Sequence, residues 1–107
     1  MLSDEQLQQL YYTKESGIHG SGLFSRENFK QGDYMGEYDG PMVKDNGSHV
    51  LWVEDNDDVW IARDGKNLLR YINHSAEPHA EFLGFELYAV REIHPHEEIT
   101  IDYGEEP

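Results

Sequence analysis

The stretch that decides the fold is RYINHSAEP, residues 70–78. A short apolar run that contains Arg70 leads directly into Asn73 and His74, and a proline closes the stretch. Residues 67–74 suit one or two helical turns as well as a strand, because periodicity does not separate the two at this length. The stretch also matches the N-x-S acceptor for glycosylation, which requires a secreted chain.

Composition indicates a soluble, intracellular protein. Its 107 residues suit one domain, 1–107, and the absence of cysteine excludes disulfides and thiolate zinc sites. No apolar run approaches the roughly 20 residues of a membrane helix, and the start, MLSDEQLQQL, is unlike a signal peptide. We therefore expect no membrane partner and a cytoplasmic location, or a nuclear one in a eukaryote.

The chain is strongly acidic, with a formal net charge of −14 from 22 acidic and 8 basic residues. Nucleic-acid binding through phosphates needs clusters of lysine and arginine, and the sequence has none, so we expect no direct nucleic-acid partner. The acidity suits either solubility or the attraction of a basic partner, such as a lysine-rich peptide.

Turn signals divide most of the chain into short strands, and one short helix precedes them. Ser3 suits the N-cap of this helix, with Gln6 as its capping-box partner, and the helix is predicted to end near residues 12–13. Two strands, Val50–Glu54 and Val59–Arg63, are predicted to form a hairpin around a polar turn. The architecture is therefore predicted to be mostly β.

Two segments, residues 25–38 and 90–103, resemble each other. They read SRENFKQGDYMGEY and VREIHPHEEITIDY, and each runs from Arg-Glu through a turn to a strand that ends in an acidic residue and a tyrosine. This echo predicts two similar strand–turn–strand units that present Tyr38 and Tyr103 at strand ends. Chance resemblance and ordinary packing of the two tyrosines are the alternatives.

Two other groups of residues suggest chemistry less clearly. The densest group of metal-binding side chains is HPHEE, residues 94–98, which could suit a cupin-type metal site, but the proline between the histidines favours a polar turn. Gly17, Gly20 and Gly22 form neither a Walker nor a Rossmann pattern. They suit a flexible loop, or a backbone that approaches a ligand closely.

Four segments together resemble one family, the SET-domain protein lysine methyltransferases. In chain order they are GIHGSGLFS (17–25), GEYDG (36–40), RYINHSAEP (70–78) and EEITIDYG (97–104). They look like the family's glycine motif, its Tyr-x-Gly segment, its R-[FY]-x-N-H-S-x-x-P-N signature and its closing E-E-[IL]-T-x-[DE]-Y motif. The match runs over residues 17–104.

The resemblance implies a mostly β SET-domain fold of several small sheets, with a C-terminal pseudoknot and a short N-terminal helix. Residues 17–104 would form the SET core, and residues 1–16 the helix and its lead-in. The implied cofactor is S-adenosyl-L-methionine. The implied reaction is methyl transfer, without a metal, to a lysine of a basic protein such as a histone or DNA-binding protein. A tyrosine-lined apolar channel would lower the pKa of that lysine by desolvation and align its amine.

The resemblance also assigns roles to individual residues. Tyr103 matches the family's catalytic tyrosine, and Tyr38 matches the channel tyrosine, which we count in the catalytic pair. Phe82 matches the channel position that tunes the number of methyl groups, where phenylalanine implies di- or trimethylation. The residues that match the cofactor site are Gly20, Ser21, Gly22, Arg70, Asn73 and His74.

The sequence departs from the family pattern at three places. His79 stands where the family usually has asparagine, and His96 where it usually has glycine. Four residues follow Tyr103, whereas larger relatives continue into a zinc cluster or a helix that closes the lysine channel. The channel would then be closed by a second subunit, by the substrate, or not at all. A similarly short viral member of the family works as a dimer, so we expect a homodimer.

Two other functions stay open at this level. A SET fold with weak or no catalysis would act as a binding or scaffold module. A small metal-binding β-barrel of cupin type would use the histidines of residues 94–98 instead.

Overall fold

The computed structural model describes residues 1–18, 20–55 and 58–103. In chain order its elements are α1 (Asp4–Leu10), β1 (Tyr11–Glu15), β2 (Ser21–Ser25), β3 (Tyr34–Glu37), β4 (Met42–Val43), β5 (Val50–Glu54), β6 (Trp60–Asp64), a 3-10 helix (Leu68–Tyr71), β7 (Asn73–His74), β8 (Ala80–Leu83), β9 (Glu86–Ala89) and β10 (Glu98–Ile101). Within these ranges the strands form three small sheets, in the orders β1-β2-β10-β7, β3-β9-β8 and β4-β6-β5. The mostly β class is confirmed. The cupin-type barrel is wrong, because the described strands form separate sheets rather than one closed sheet.

The N-terminal helix begins as predicted and ends earlier than predicted. The Oγ of Ser3 accepts the N–H of Gln6 at 3.2 Å, and the side chain of Gln6 accepts the N–H of Ser3 at 2.9 Å, which completes the capping box. The predicted end at residues 12–13 is wrong, because α1 stops at Leu10 and Tyr11 begins β1. Tyr11 is buried and opposes Ser25 of β2, so strand pairing outweighs helix propensity there.

The predicted hairpin is confirmed as β5 and β6, which are antiparallel with Val53 opposite Ile61. The second strand is shifted by one residue from its predicted bounds. Of the predicted turn, residues 56 and 57 lie outside the described residues, as do His19 of the glycine segment and residues 104–107.

The C-terminal strand β10 occupies the interior of the four-stranded sheet. It is antiparallel to β2 and parallel to β7. The segment after β7 stays against it, because Ser75 donates its N–H to the carbonyl of Ile101 at 3.0 Å and His79 donates to Thr100 at 3.1 Å. This arrangement is the predicted pseudoknot. The run over residues 67–74, left open between helix and strand, contains one of each, the 3-10 helix and β7.

The two echoed segments meet in the structure. Phe29 and Ile93 form an isolated antiparallel bridge, each donating its N–H to the other's carbonyl at 2.9 Å. The turns that follow contain Gly32 at φ +92° and His96 at φ +72°. His96 therefore adopts the left-handed backbone that favours glycine, which gives a physical reason for glycine at this position in the family pattern.

One cluster of buried side chains joins the three sheets. It is centred on α1, β2, β3, β9 and β10, and the hairpin packs against it through Leu51, Val53 and Ile61. Its largest fully buried apolar side chains are Leu7, Tyr11, Leu23, Met35, Leu69, Leu87, Ile93 and Ile99. Among the described residues no helix is both long and apolar enough to cross a membrane.

His79 stands where the resembled family usually has asparagine, and it holds the segment after β7 against β10. Its carbonyl accepts the N–H of Val90 at 2.9 Å, and its Nε2 lies 3.3 Å from Nη2 of Arg91. Burial and the charge of Arg91 lower the pKa of His79, against the opposing effect of Glu97 and Glu98. Because the unfolded chain binds this proton more readily than the folded one, His79 lowers the free energy of unfolding as the pH falls below about 6.5.

We therefore predict that His79→Asn makes stability less dependent on pH. Between pH 7.5 and pH 5, the Tm of the variant should fall by less than the Tm of the wild type, measured by circular dichroism. The control is His94→Asn, at a solvent-exposed histidine, which should show the wild-type decrease. Equal decreases for all three proteins would contradict the prediction.

Candidate functional site

A cleft of about 580 Å³ lies where the edge strand β5 of the hairpin sheet faces the edge strand β8 of a second sheet. Four of the predicted site residues line it, namely Tyr38, Arg70, Phe82 and Tyr103. The other walls include residues 46–54 and three acidic side chains, Glu54, Glu81 and Asp102. The structure thus brings the three predicted channel residues together with Arg70, which was predicted for the cofactor site, from four separate parts of the sequence.

Tyr38 is a nearly buried wall of this cleft, with 6% of its surface exposed. Its hydroxyl donates to the carbonyl of His49 at 2.5 Å, and its ring meets Phe82 edge to face, with 5.6 Å between ring centroids. Burial, and then the neighbouring Tyr103, raise the pKa of Tyr38 well above its usual value. The hydroxyl of Tyr38 therefore keeps its proton and does not act as a base.

Tyr103 lies at the mouth of the cleft, half exposed. Its hydroxyl donates to the carbonyl of Ile72 at 2.6 Å, its backbone N–H donates to Nδ1 of His74 at 2.9 Å, and its ring lies 5.3 Å from the ring of His74. Both site tyrosines thus direct their hydroxyl protons at backbone carbonyls. Because a hydroxyl has one hydrogen and two lone pairs, each oxygen can offer only a lone pair to a further group.

Arg70 lines the cleft from the last turn of the 3-10 helix. Its guanidinium donates to the carbonyls of Lys66 and Asn67 at 2.8 and 2.9 Å and to the hydroxyl of Tyr71 at 2.8 Å. It also lies over the ring of Tyr71, 4.4 Å from the centroid. These bonds hold the positive charge of Arg70 at the cleft in one orientation.

The remaining predicted residues form a second group, joined to the cleft through β7. Asn73 donates from Nδ2 to the carbonyl of Ser21 at 3.3 Å and to the carboxylate of Glu98 at 2.9 Å. Gly20 has a left-handed φ of +46°, and a Cβ placed on it would meet only open space. Gly20 and Ser21 are exposed, so the backbone of the glycine loop is open to a ligand beside Asn73. Gly22 lies against the carboxylate of Glu98.

The sequence analysis missed His49 and Gly65. The carbonyl of His49 accepts both the hydroxyl of Tyr38 and the N–H of Gly65, the latter at 2.8 Å. A Cβ on Gly65 would overlap the hydroxyl and ring of Tyr38. No residue-type signal points to His49, because it acts through its backbone.

We predict that Gly65→Ala displaces the ring of Tyr38 and lowers the free energy of unfolding by about 1–3 kcal/mol, as overpacking does. Gly65 has no left-handed φ, so the effect is steric. The matched control is Gly17→Ala, where a Cβ meets nothing within 4 Å, and which should be neutral or slightly stabilising. Urea denaturation measures both, and an unchanged midpoint for Gly65→Ala would contradict the prediction.

Comparison with known proteins gives a consistent result. A family model described as SET domain matches residues 20–104. Histone-lysine N-methyltransferase TRX1 of Oryza sativa subsp. japonica is 32% identical over 113 residues, which cover 83% of this chain and 11% of the relative. A histone-lysine N-methyltransferase of Schizosaccharomyces pombe, named as H3 lysine-4 specific, is 34% identical over 110 residues, covering 82% of this chain and 12% of the relative. The chain spans about a tenth of the length of these two relatives.

Solved structures show the same fold. The methyltransferase domain of human histone-lysine N-methyltransferase SETMAR superposes with a TM-score of 0.75 at 21% identity, over 87% of this chain and 44% of that one. A chain of ctPRC2 in complex with H3K27me3 and H3K27M gives a TM-score of 0.73 at 21% identity, over 89% of this chain and 14% of that one.

Proposed function

Because this chain belongs to the SET-domain family, we propose that it is a protein-lysine N-methyltransferase that uses S-adenosyl-L-methionine. The observation that carries the proposal is the pair Tyr38 and Tyr103. Both line one cleft with Phe82, and each hydroxyl donates to a backbone carbonyl. Two oxygens held in this way offer lone pairs to the N–H groups of an amine and thereby orient it.

The second group of residues fits a methyl donor of this kind. The exposed backbone of Gly20 and Ser21 borders open space, with Asn73 and the carboxylate of Glu98 beside it. Glycine lets backbone approach such a ligand closely. Gly20, Ser21, Gly22, Asn73 and His74 would hold the donor, and Arg70 would pair with its carboxylate. When bound, the donor supplies an electrophilic methyl group on a sulfonium.

The cleft residues prepare the lysine for attack. A free lysine has a pKa of about 10.4 and must lose its proton first. The packed rings of Tyr38 and Phe82 would desolvate the charged ammonium and lower its pKa, so the proton would pass to solvent at the open end of the cleft. Tyr38 does not take this proton, because its own hydroxyl stays protonated. The oxygens of Tyr38 and Tyr103 would then bind and orient the neutral amine.

Charge supports a basic protein or lysine-rich peptide as the substrate. The chain has a net charge of −14, and Glu54, Glu81 and Asp102 line the cleft. A field of this sign attracts and orients a cationic chain. Because the relatives are named for methylation of histone lysines, a histone is the first substrate to test.

We predict that Tyr103→Phe lowers kcat roughly 100-fold, the usual scale for removal of one preorganised polar group at a reacting centre. The measurement is transfer of radiolabelled methyl from the donor to histone H3, with mass spectrometry of the product. Tyr88→Phe is the matched control, because the hydroxyl of Tyr88 donates to the exposed Glu86 and the residues that line the cleft do not include Tyr88. Histone binding without transfer by the wild type would instead support the binding-module alternative.

We further predict that Phe82→Tyr reduces the number of methyl groups added. The ring of Phe82 meets that of Tyr38 in the cleft, so an added hydroxyl takes up space that a methylated amine needs. Mass spectrometry of the product should show di- or trimethyl-lysine with the wild type and mainly monomethyl-lysine with the variant. An identical product distribution would contradict the proposed role of Phe82.

The homodimer expected from the sequence stays a prediction. It is supported by two large apolar side chains at the cleft, Trp60 and Leu83, which are 42% and 59% exposed. Light scattering coupled to gel filtration should give twice the 12.4 kDa mass of one chain. Leu83→Lys should shift the protein toward the monomer, and a monomeric wild type at micromolar concentration would contradict the prediction.

A further inference from the structure

The carboxylate of Glu98 joins three parts of the donor-binding group. Its two oxygens lie 2.8 and 2.9 Å from the hydroxyl of Ser16, and its Oε2 also accepts Nδ2 of Asn73 at 2.9 Å. Gly22 lies so close that a Cβ built on it would overlap the carboxylate. Glu98 is the first residue of β10, far in sequence from all three.

These contacts hold the start of the glycine loop and border its end. Ser16 begins the loop, with its N–H on the carbonyl of Gly20 at 2.7 Å and its Oγ accepting the N–H of Ile18 at 2.9 Å. Gly22 ends the loop and lies against the same carboxylate. The loop conformation that exposes Gly20 and Ser21 therefore depends on a charged group in another strand.

The same carboxylate also fixes the orientation of the Asn73 side chain. The Nδ2 of Asn73 is directed at Glu98 and at the carbonyl of Ser21, so the amide is held in one orientation and its oxygen faces away from Glu98. Hydrogen bonds to a charged acceptor are roughly twice as strong as neutral ones, so Glu98 orders this amide more firmly than a neutral residue would.

We propose that Glu98 is a positioning residue for methyl-donor binding, which holds the glycine loop and the amide of Asn73 in the binding conformation. The inference rests on the proposed function. A Cβ on residue 22 would meet the carboxylate, so a side chain there would displace Glu98 from the position that it has in this structure.

The test separates donor binding from folding and from catalysis. With Glu98→Ala, the Kd and KM for the methyl donor should rise roughly 10-fold, the effect of losing one charged hydrogen bond, while kcat at saturating donor and the KM for the histone peptide stay near wild type. Glu98→Gln should have a donor affinity between those of the wild type and Glu98→Ala. Its amide oxygen can still accept from Asn73, and its amide nitrogen can donate to the Ser16 hydroxyl, which then accepts instead of donating. Glu97→Ala is the control. That carboxylate accepts the N–H of His94 in the adjoining turn, so its loss should lower Tm without changing donor affinity.

Three results would overturn the proposal. A folded Glu98→Ala protein with wild-type donor affinity overturns it alone and leaves the proposed function standing. If the alanine variant does not fold, Glu98→Gln takes its place in the test. A Glu98→Gln protein with a raised KM for the peptide and an unchanged KM for the donor then overturns the proposal in the same way. A wild type that binds no S-adenosyl-L-methionine by calorimetry overturns the proposed function, and this inference with it.

Discussion

Backbone hydrogen bonding of β10 is the constraint on which the rest of the structure depends. The strand lies between β2 and β7, pairs with both, and accepts two further bonds from the segment that crosses it. Buried backbone groups must be paired, so β10 enters this position only with its full set of partners. Its first residue is Glu98, which contacts the glycine loop, and two residues beyond its end lies Tyr103. One strand thereby sets the distance between the glycine loop and the cleft.

A second regularity is that backbone carbonyls orient the side chains of the site. The carbonyls of His49 and Ile72 hold the two tyrosine hydroxyls, and those of Lys66 and Asn67 hold the guanidinium of Arg70. A carbonyl is fixed by the main chain and loses no side-chain entropy when it binds. Polar groups ordered in this way need little rearrangement on reaching a transition state, which is the basis of electrostatic preorganisation.

Motif residues in the sequence predicted both groups of the site. The tyrosines at 38 and 103 and the stretch at 70–78 are side-chain signals, because a particular chemistry needs those residue types. His49 and Gly65 could not be found in this way. His49 acts through its carbonyl, which every residue has, and Gly65 matters because Tyr38 lies against it in space. Glu98 was visible within the closing motif, but its contacts with residues 16 and 73 follow only from strand pairing.

The sequence by itself determined the mostly β class, the capping box of the first helix, the hairpin and the three candidate residues that meet in the cleft, Tyr38, Phe82 and Tyr103, because local propensity, turn chemistry and motif chemistry depend on neighbouring residues. Only the tertiary structure decided where the helix stops, how the run at 67–74 divides and what each site side chain contacts. After Leu10, pairing with β2 makes the chain a strand rather than a continued helix. At Asn73, pairing with β10 makes the chain strand β7. Neither partner is adjacent in sequence. The free energy that pairing with them contributes exceeds the small free-energy differences by which local sequence favours one conformation over another.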